Sequence, residues 1–131
     1  MSRPPSIQPT ELELEFLKIL WGAAPQLVRE IREELAKRGR DIAHTSVITT
    51  LNTMVEKKYL KRAKQGKAFL FSPRVTRQQV SSQMLGSVVD RVFDGSAKAV
   101  LLSLFDCAEI DSDELKELRK LINKKSREAT E

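Results

Sequence analysis

Seventeen residues, Lys57 to Pro73, restrict the folds open to this chain more than any other stretch. Two short runs, one holding Leu60 and the other Phe69, Leu70 and Phe71, flank the turn-forming pair Gln65-Gly66, and Pro73 closes the second run. This is the pattern of a β-hairpin. Lys57, Lys58, Lys61, Arg62, Lys64 and Lys67 put six cations into eleven residues with no acid among them. A hairpin with so basic a tip draws a polyanion such as nucleic acid, although a merely solvated basic surface has the same charge. The segments before the hairpin separate the two.

Those segments predict three short helices. The first runs from about Pro9 to Trp21, with Leu12, Phe16, Ile19 and Leu20 on one face and Glu11, Glu13 and Glu15 in the early turns, where negative charge suits the helix dipole. Gly22-Ala23-Ala24-Pro25 ends it, and a second helix follows over Leu27 to Arg38, with Leu27, Ile31 and Leu35 in register and Gly39 as C-terminal cap. The third, Thr45 to Lys58, differs in kind. Val47, Leu51 and Met54 form its apolar seam, while Thr45, Ser46, Thr49, Asn52 and Thr53 are small, uncharged hydrogen-bonding residues. Solubility alone would favour Glu and Lys there, and Thr and Ser are mediocre helix formers. Small side chains let a helix enter a DNA major groove, or let it pack closely against another element. Three helices followed by a hairpin with a cationic tip make a winged helix-turn-helix, with the third helix in the groove and the hairpin on the neighbouring backbone.

From Thr76 the pattern is helical again. Val80, Met84, Val88 and Val92 form a stripe ended by Asp94-Gly95, a short helix spans Ser96 to Phe105, and a last helix opens at Asp111, placed for a capping box with Glu114, and carries Leu115, Leu118 and Ile122. Three short helices with stripes this broad cannot bury themselves alone, and a second copy of the chain is the simplest cover. The expected class is therefore mostly α with a small β-hairpin. Residues 1–73 form a winged helix-turn-helix DNA-binding domain, and residues 74–131 form a three-helix dimerisation region.

The charge is divided the same way. Residues 1–73 hold 13 Lys and Arg against 8 Asp and Glu, whereas residues 74–131 hold ten of each. A length of 131 residues, 40% of them hydrophobic and 31% charged, allows one globular domain or two small ones. The longest nearly apolar stretch, Ala99 to Phe105, is too short to span a membrane, and Met1-Ser2-Arg3-Pro4-Pro5 leads into no signal peptide, so a cytoplasmic location is expected. One cysteine, Cys107, and one histidine, His44, leave little for disulfides, structural zinc or a catalytic triad. No Gly-rich phosphate loop is present either. The expectation is a binding protein without catalysis, metal or cofactor.

Four stretches together resemble the penicillinase and methicillin-resistance repressors, whose relatives include copper-responsive repressors. They are Glu13-Leu14-Glu15-Phe16-Leu17-Lys18-Ile19-Leu20-Trp21, Ala43-His44-Thr45-Ser46-Val47-Ile48-Thr49-Thr50-Leu51-Asn52, Gly66-Lys67-Ala68-Phe69-Leu70-Phe71-Ser72-Pro73 and Glu114-Leu115-Lys116-Glu117-Leu118. The resemblance spans Ile7 to Lys125 and implies a homodimer that sits on a palindromic double-stranded operator and blocks transcription, often of genes for β-lactam resistance or envelope stress. It further implies, as partner, a membrane sensor protease or a protease such a sensor activates, which cuts the repressor in its dimerisation region. The matching bond here is Ser103-Leu104, where those relatives have Asn followed by Phe, so the inducer stays open. Copper-responsive relatives carry Cys-x-Cys pairs near the C-terminus, and a lone Cys107 does not meet copper(I)'s need for several thiolates.

Within this frame His44, Thr45, Ser46, Ile48, Thr49 and Asn52 are the expected DNA contacts of the third helix, with Ile48 suited to a thymine methyl. Lys61, Arg62, Lys64 and Lys67 are those of the wing and its flank. Val88, Val92, Leu101, Leu104, Leu115, Leu118 and Ile122 are expected to form the dimer face. A winged-helix module that binds protein instead of DNA is the competing expectation, because the same fold serves both ends.

Overall fold

The computed structural model describes residues 7–130, and the Met1–Pro5 stretch weighed above as a signal lies outside them. Helix α1 covers Glu11–Gly22, two residues later than the start periodicity suggests, because Thr10 caps it. The Thr10 hydroxyl accepts from the Glu13 N–H at 3.2 Å and the Glu13 carboxylate accepts from the Thr10 N–H at 2.8 Å, a reciprocal capping box. A two-residue strand β1, Gln26–Leu27, precedes α2, Val28–Lys37, so Leu27 belongs to the sheet and not to the helix. Gly39, at φ +93°, ends α2 as expected: its N–H donates to Ala36 and that of Arg40 to Leu35, both at 3.0 Å.

Helix α3 covers His44–Glu56. Lys58 then turns the chain at φ 67°, and the Tyr59 N–H donates to the Met54 carbonyl at 2.9 Å, so α3 closes with the bond pattern normally built on glycine. Strands β2, Leu60–Gln65, and β3, Ala68–Pro73, form the hairpin, with Gln65 opposite Ala68 and Leu60 opposite Pro73. The two-residue loop is therefore Gly66-Lys67, one residue later than the Gln65-Gly66 turn expected from sequence. Gly66 takes the positive φ, +62°, that its first position demands. Strand β1 pairs with the other edge of β3, giving the antiparallel order β1-β3-β2.

Phe16, Leu17 and Leu20 of α1, Ile31 and Leu35 of α2, and Val47, Leu51 and Met54 of α3 close on Leu60 and Phe71 of the sheet as one buried core. Helix α4, Arg77–Val92, adds a buried Val80. The Trp21 indole N–H donates to the Val75 carbonyl at 2.9 Å, and the Arg77 guanidinium stacks over the Trp21 ring.

The chain divides into two compact units, one through Ser87 and one from Val88. The sequence pattern changes at Pro73; beyond it, Val80 lies in the first unit's core and Val75 packs against that core. The second unit holds α5, Ala97–Cys107, and α6, Ser112–Thr130. Ser96 caps α5, accepting from the Ala99 N–H at 3.1 Å, and Asp111 caps α6, accepting from the Glu114 N–H at 2.9 Å. No side chain of this unit is buried among the described residues.

Candidate nucleic-acid interface

Burying Val47, Leu51 and Met54 fixes the rotation of α3 and leaves it two accessible faces. Thr45, Ser46 and Thr49 lie on the outward one and are exposed. His44, Ile48 and Asn52, spaced by four, lie on the one turned toward the wing, with His44 exposed and the other two half-buried. The threonine hydroxyls are engaged: Thr49, Thr50 and Thr53 each donate to the carbonyl four residues earlier, at 2.9 Å. With the proton so used, each hydroxyl oxygen is left as an acceptor for an outside donor.

On β2 the side chains alternate. Arg62 and Lys64 share the face of Phe71 and Phe69, their cross-strand partners, while Lys61 projects from the other face. Lys61, Arg62 and Lys64 are exposed, and Lys67 stands in the loop at the hairpin's tip. Between α3 and the wing lies a cleft of about 690 Å³, with His44, Ile48 and Asn52 along one wall and Arg62, Lys67 and Phe69 along the other. Arg29 and Val28, at the start of α2, close one end, and no carboxylate lines it among the described residues.

Two contacts bear on these groups. Arg62 and Asn52, each assigned to DNA, meet one another: Arg62 Nη1 donates to Asn52 Oδ1 at 2.6 Å, and the guanidinium lies over the Phe69 ring, 4.6 Å from its centroid. Lys57, one of the six clustered cations, is withdrawn from the cluster by Glu13, whose Oε2 accepts from Lys57 Nζ at 2.9 Å. Glu13 is 3% exposed and serves more than the helix dipole. Burial alone would raise its carboxyl, but the Thr10 N–H and the Lys57 ammonium outweigh that and hold it below the ordinary value of 4.5. The same hydrogen bond raises Lys57 above 10.5.

Sequence reasoning missed Arg29 and Phe69 as parts of this cleft. The alternation of β2 and β3 could have placed Phe69 beside Arg62. Arg29 had no such signal, because β1 sets where α2 begins and two residues are too few to show a period.

Helices α2 and α3 at the core and a hairpin wing beside α3 define a winged helix-turn-helix protein. Residues 9–124 match the sequence profile of the penicillinase repressor family, and the chain belongs to that family, one of transcriptional repressors and not of enzymes. It is 24% identical over 113 residues to the methicillin resistance regulatory protein MecI of Staphylococcus aureus strain Mu50, covering 86% of this chain and 91% of that protein. It is 23% identical over 122 residues to the penicillinase repressor of Bacillus licheniformis, covering 93% of each. To the transcriptional regulator BlaI of Mycobacterium tuberculosis it is 28% identical over 114 residues, 86% of this chain and 80% of that one. Among solved structures, the DNA-binding domain of the repressor BlaI aligns with a TM-score of 0.50 at 25% identity, over 60% of this chain and 93% of that domain. The complex structure of hsRosR-S1 aligns over 93% and 95% of the two chains with a TM-score of 0.50; at 14% identity it shares the fold alone. No described helix is long and apolar enough to cross a membrane.

Proposed function

We propose that the chain acts as a homodimeric repressor, binding a palindromic double-stranded operator and blocking transcription of genes for β-lactam resistance or envelope stress. The observation that carries this reading is an uncharged hydroxyl face on α3 set beside a cleft and wing whose strongly charged groups are all cationic. Lys61, Lys64 and Lys67 neutralise phosphates, and His44, opening α3, reaches the backbone between them. Thr45, Ser46 and Thr49 face base edges, and Ile48 meets a thymine methyl. Helix α3 has no Lys or Arg between Thr45 and Glu56, so it lacks the bidentate guanine contact. Sequence choice then rests on weak contacts and DNA shape.

The dimer is supported by the second unit. Val92 is 67% exposed and Leu104 39%, Val88, Leu115 and Ile122 are also exposed, and Leu101 and Leu118 are half-buried. Helices with such surfaces and no core of their own are covered by a second copy. The reading of residues 74–131 as the dimerisation region rests on these side chains, and the gene targets rest on the names of the relatives. Release by a membrane sensor protease, or by a protease it activates, belongs to the same reading. A cut between Ser103 and Leu104 would detach α6, and it requires α5 to open because the bond lies inside that helix.

The test is a gel shift of the full chain on the promoter upstream of its own gene, with random duplex as competitor. The expected result is retention at nanomolar protein by two protomers per site, about 10³-fold or more tighter than on random duplex. Equal affinity for both duplexes, or no retention below micromolar protein, refutes the proposal and leaves a winged-helix module that binds protein.

A further inference from the structure

The amide of Asn52 has two ends that look alike in shape and differ in chemistry. Its neighbour settles which end goes where. A guanidinium carries five N–H donors and no acceptor, so the Asn52 oxygen must face Arg62, as the 2.6 Å contact shows. The Asn52 NH2 is thereby turned away from the wing. The planar Arg62 guanidinium also stacks over the Phe69 ring, 4.6 Å from its centroid, and Phe69 stands on the same face of the hairpin opposite Lys64. The threonine hydroxyls at 49, 50 and 53 have given their protons to the backbone and only accept. At this level of α3 the Asn52 amide is the group that donates. Donors in the major groove read acceptors, and the N7 of a purine is the one both purines present there.

We infer that Arg62 is a positioning residue that acts through Asn52: it aims the Asn52 NH2 at a purine N7 and ties the wing to the recognition helix, rather than neutralising a phosphate. The inference rests on the function proposed above and assigns to this site one element of its specificity. It separates charge from geometry, and the two are distinguishable by substitution. Arg62→Lys keeps the cation and loses the flat fork. Arg62→Ala loses both, and Asn52→Ala removes the group being aimed.

The full chain first selects its preferred duplex from a random pool. Wild type, R62K, R62A, N52A and the double variant N52A/R62A are then measured on that duplex and on a scrambled one, across a range of salt. R62K, R62A and N52A are each expected to lose about tenfold in preference for the selected duplex. The double variant loses no more than N52A, and the slope of log K against log salt stays at the wild-type value throughout. Replacing the contacted purine by its 7-deaza analogue costs the wild type a similar factor and N52A nothing. Wild-type behaviour of R62K together with a reduced salt slope in R62A would show a phosphate contact and overturn the inference. Additive losses in the double variant overturn it as well.

A measurement without DNA tells this failure from failure of the functional reading. In the free protein, the Asn52 side-chain amide resonances should shift in R62K and R62A and stay in place in K64A. Unmoved resonances overturn the pairing whatever the chain binds. A shifted pair with no duplex selected overturns the function instead, and the N7 contact with it.

Discussion

Replacing Glu13 by Ala tests how α3 is anchored. The carboxylate joins two elements: buried at 3% exposure, it closes the cap of α1 and holds Lys57, the residue that ends α3. Truncation leaves the Thr10 N–H without its acceptor at 2.8 Å, the loss of one of the capping box's two hydrogen bonds, worth about 1 kcal/mol. It also breaks the charge-assisted bond to Lys57. Such bonds are worth ~1.5–3 kcal/mol, but Lys57 is 41% exposed and water replaces part of the interaction, so the lower end applies. The expected loss is about 2–3 kcal/mol, which lowers the melting temperature by roughly 10 °C or more for a unit of this size. Glu13→Gln keeps an acceptor for Thr10 and should cost about half as much.

The pH dependence fixes the sign. The folded carboxyl titrates below 4.5, so the stabilisation is complete above that value and is lost as pH falls through the lower folded one. Lys57 is raised above 10.5, so its share is present below that value and lost as pH rises through the higher folded one. Denaturant unfolding of wild type and E13Q at several pH values checks both. Wild type should fall more steeply toward acid, and the two curves should converge once Glu13 is protonated. Loss of less than about 0.5 kcal/mol in E13A, or parallel acid profiles, refutes the anchoring role.

Other outcomes follow from the same residues. K64A/K67A should bind every duplex more weakly and, with four fewer phosphates neutralised in the dimer, reduce the salt slope by about 3–4, measured by titration at several salt concentrations. A fragment ending at Ser87 keeps the buried Val80 and should stay folded, sediment as a monomer and bind operator weakly, having lost the second half-site. Lys58→Gly relieves a left-handed residue at the end of α3 and should raise stability by about 0.5–1 kcal/mol in denaturant unfolding, even as it removes a cation.

Much of this fold is visible in the chain before any coordinates. The seam of Val47, Leu51 and Met54 has the helical period, Gly39 and Gly66 sit where positive φ is required, and alternation in Lys61–Lys64 sets the faces of the wing. These are local signals, carried by residues within a few positions of one another. Long-range partners leave no such trace. Nothing near Lys57 announces Glu13, 44 residues earlier, and nothing near Arg62 announces that Asn52 takes one of its donors. Strand β1 escaped notice because two residues have no periodicity; its existence depends on the free edge of β3. The boundary at Ser87 is hidden for the same reason, since the stripe through Val80 and Val88 is continuous in sequence while only Val80 is buried.

The arrangement of charge on this surface has a consequence for how sequence choice responds to salt. Helix α3 carries its hydroxyls and amide without a Lys or Arg between Thr45 and Glu56, and the cations stand on the wing at Lys61, Lys64 and Lys67. Counterion release depends on the phosphates neutralised, and under the proposed function the wing would meet the same phosphates on operator and on random duplex. Raising salt should therefore weaken both kinds of binding along nearly parallel lines, with a slope of about −5 for six wing lysines in the dimer. The ratio between them, set by uncharged contacts on α3, should change little. Parallel titrations of operator and random duplex from low to moderate salt measure this directly. A ratio that collapses as salt rises would mean that cations take part in choosing the sequence, and the division of labour between helix and wing would be wrong.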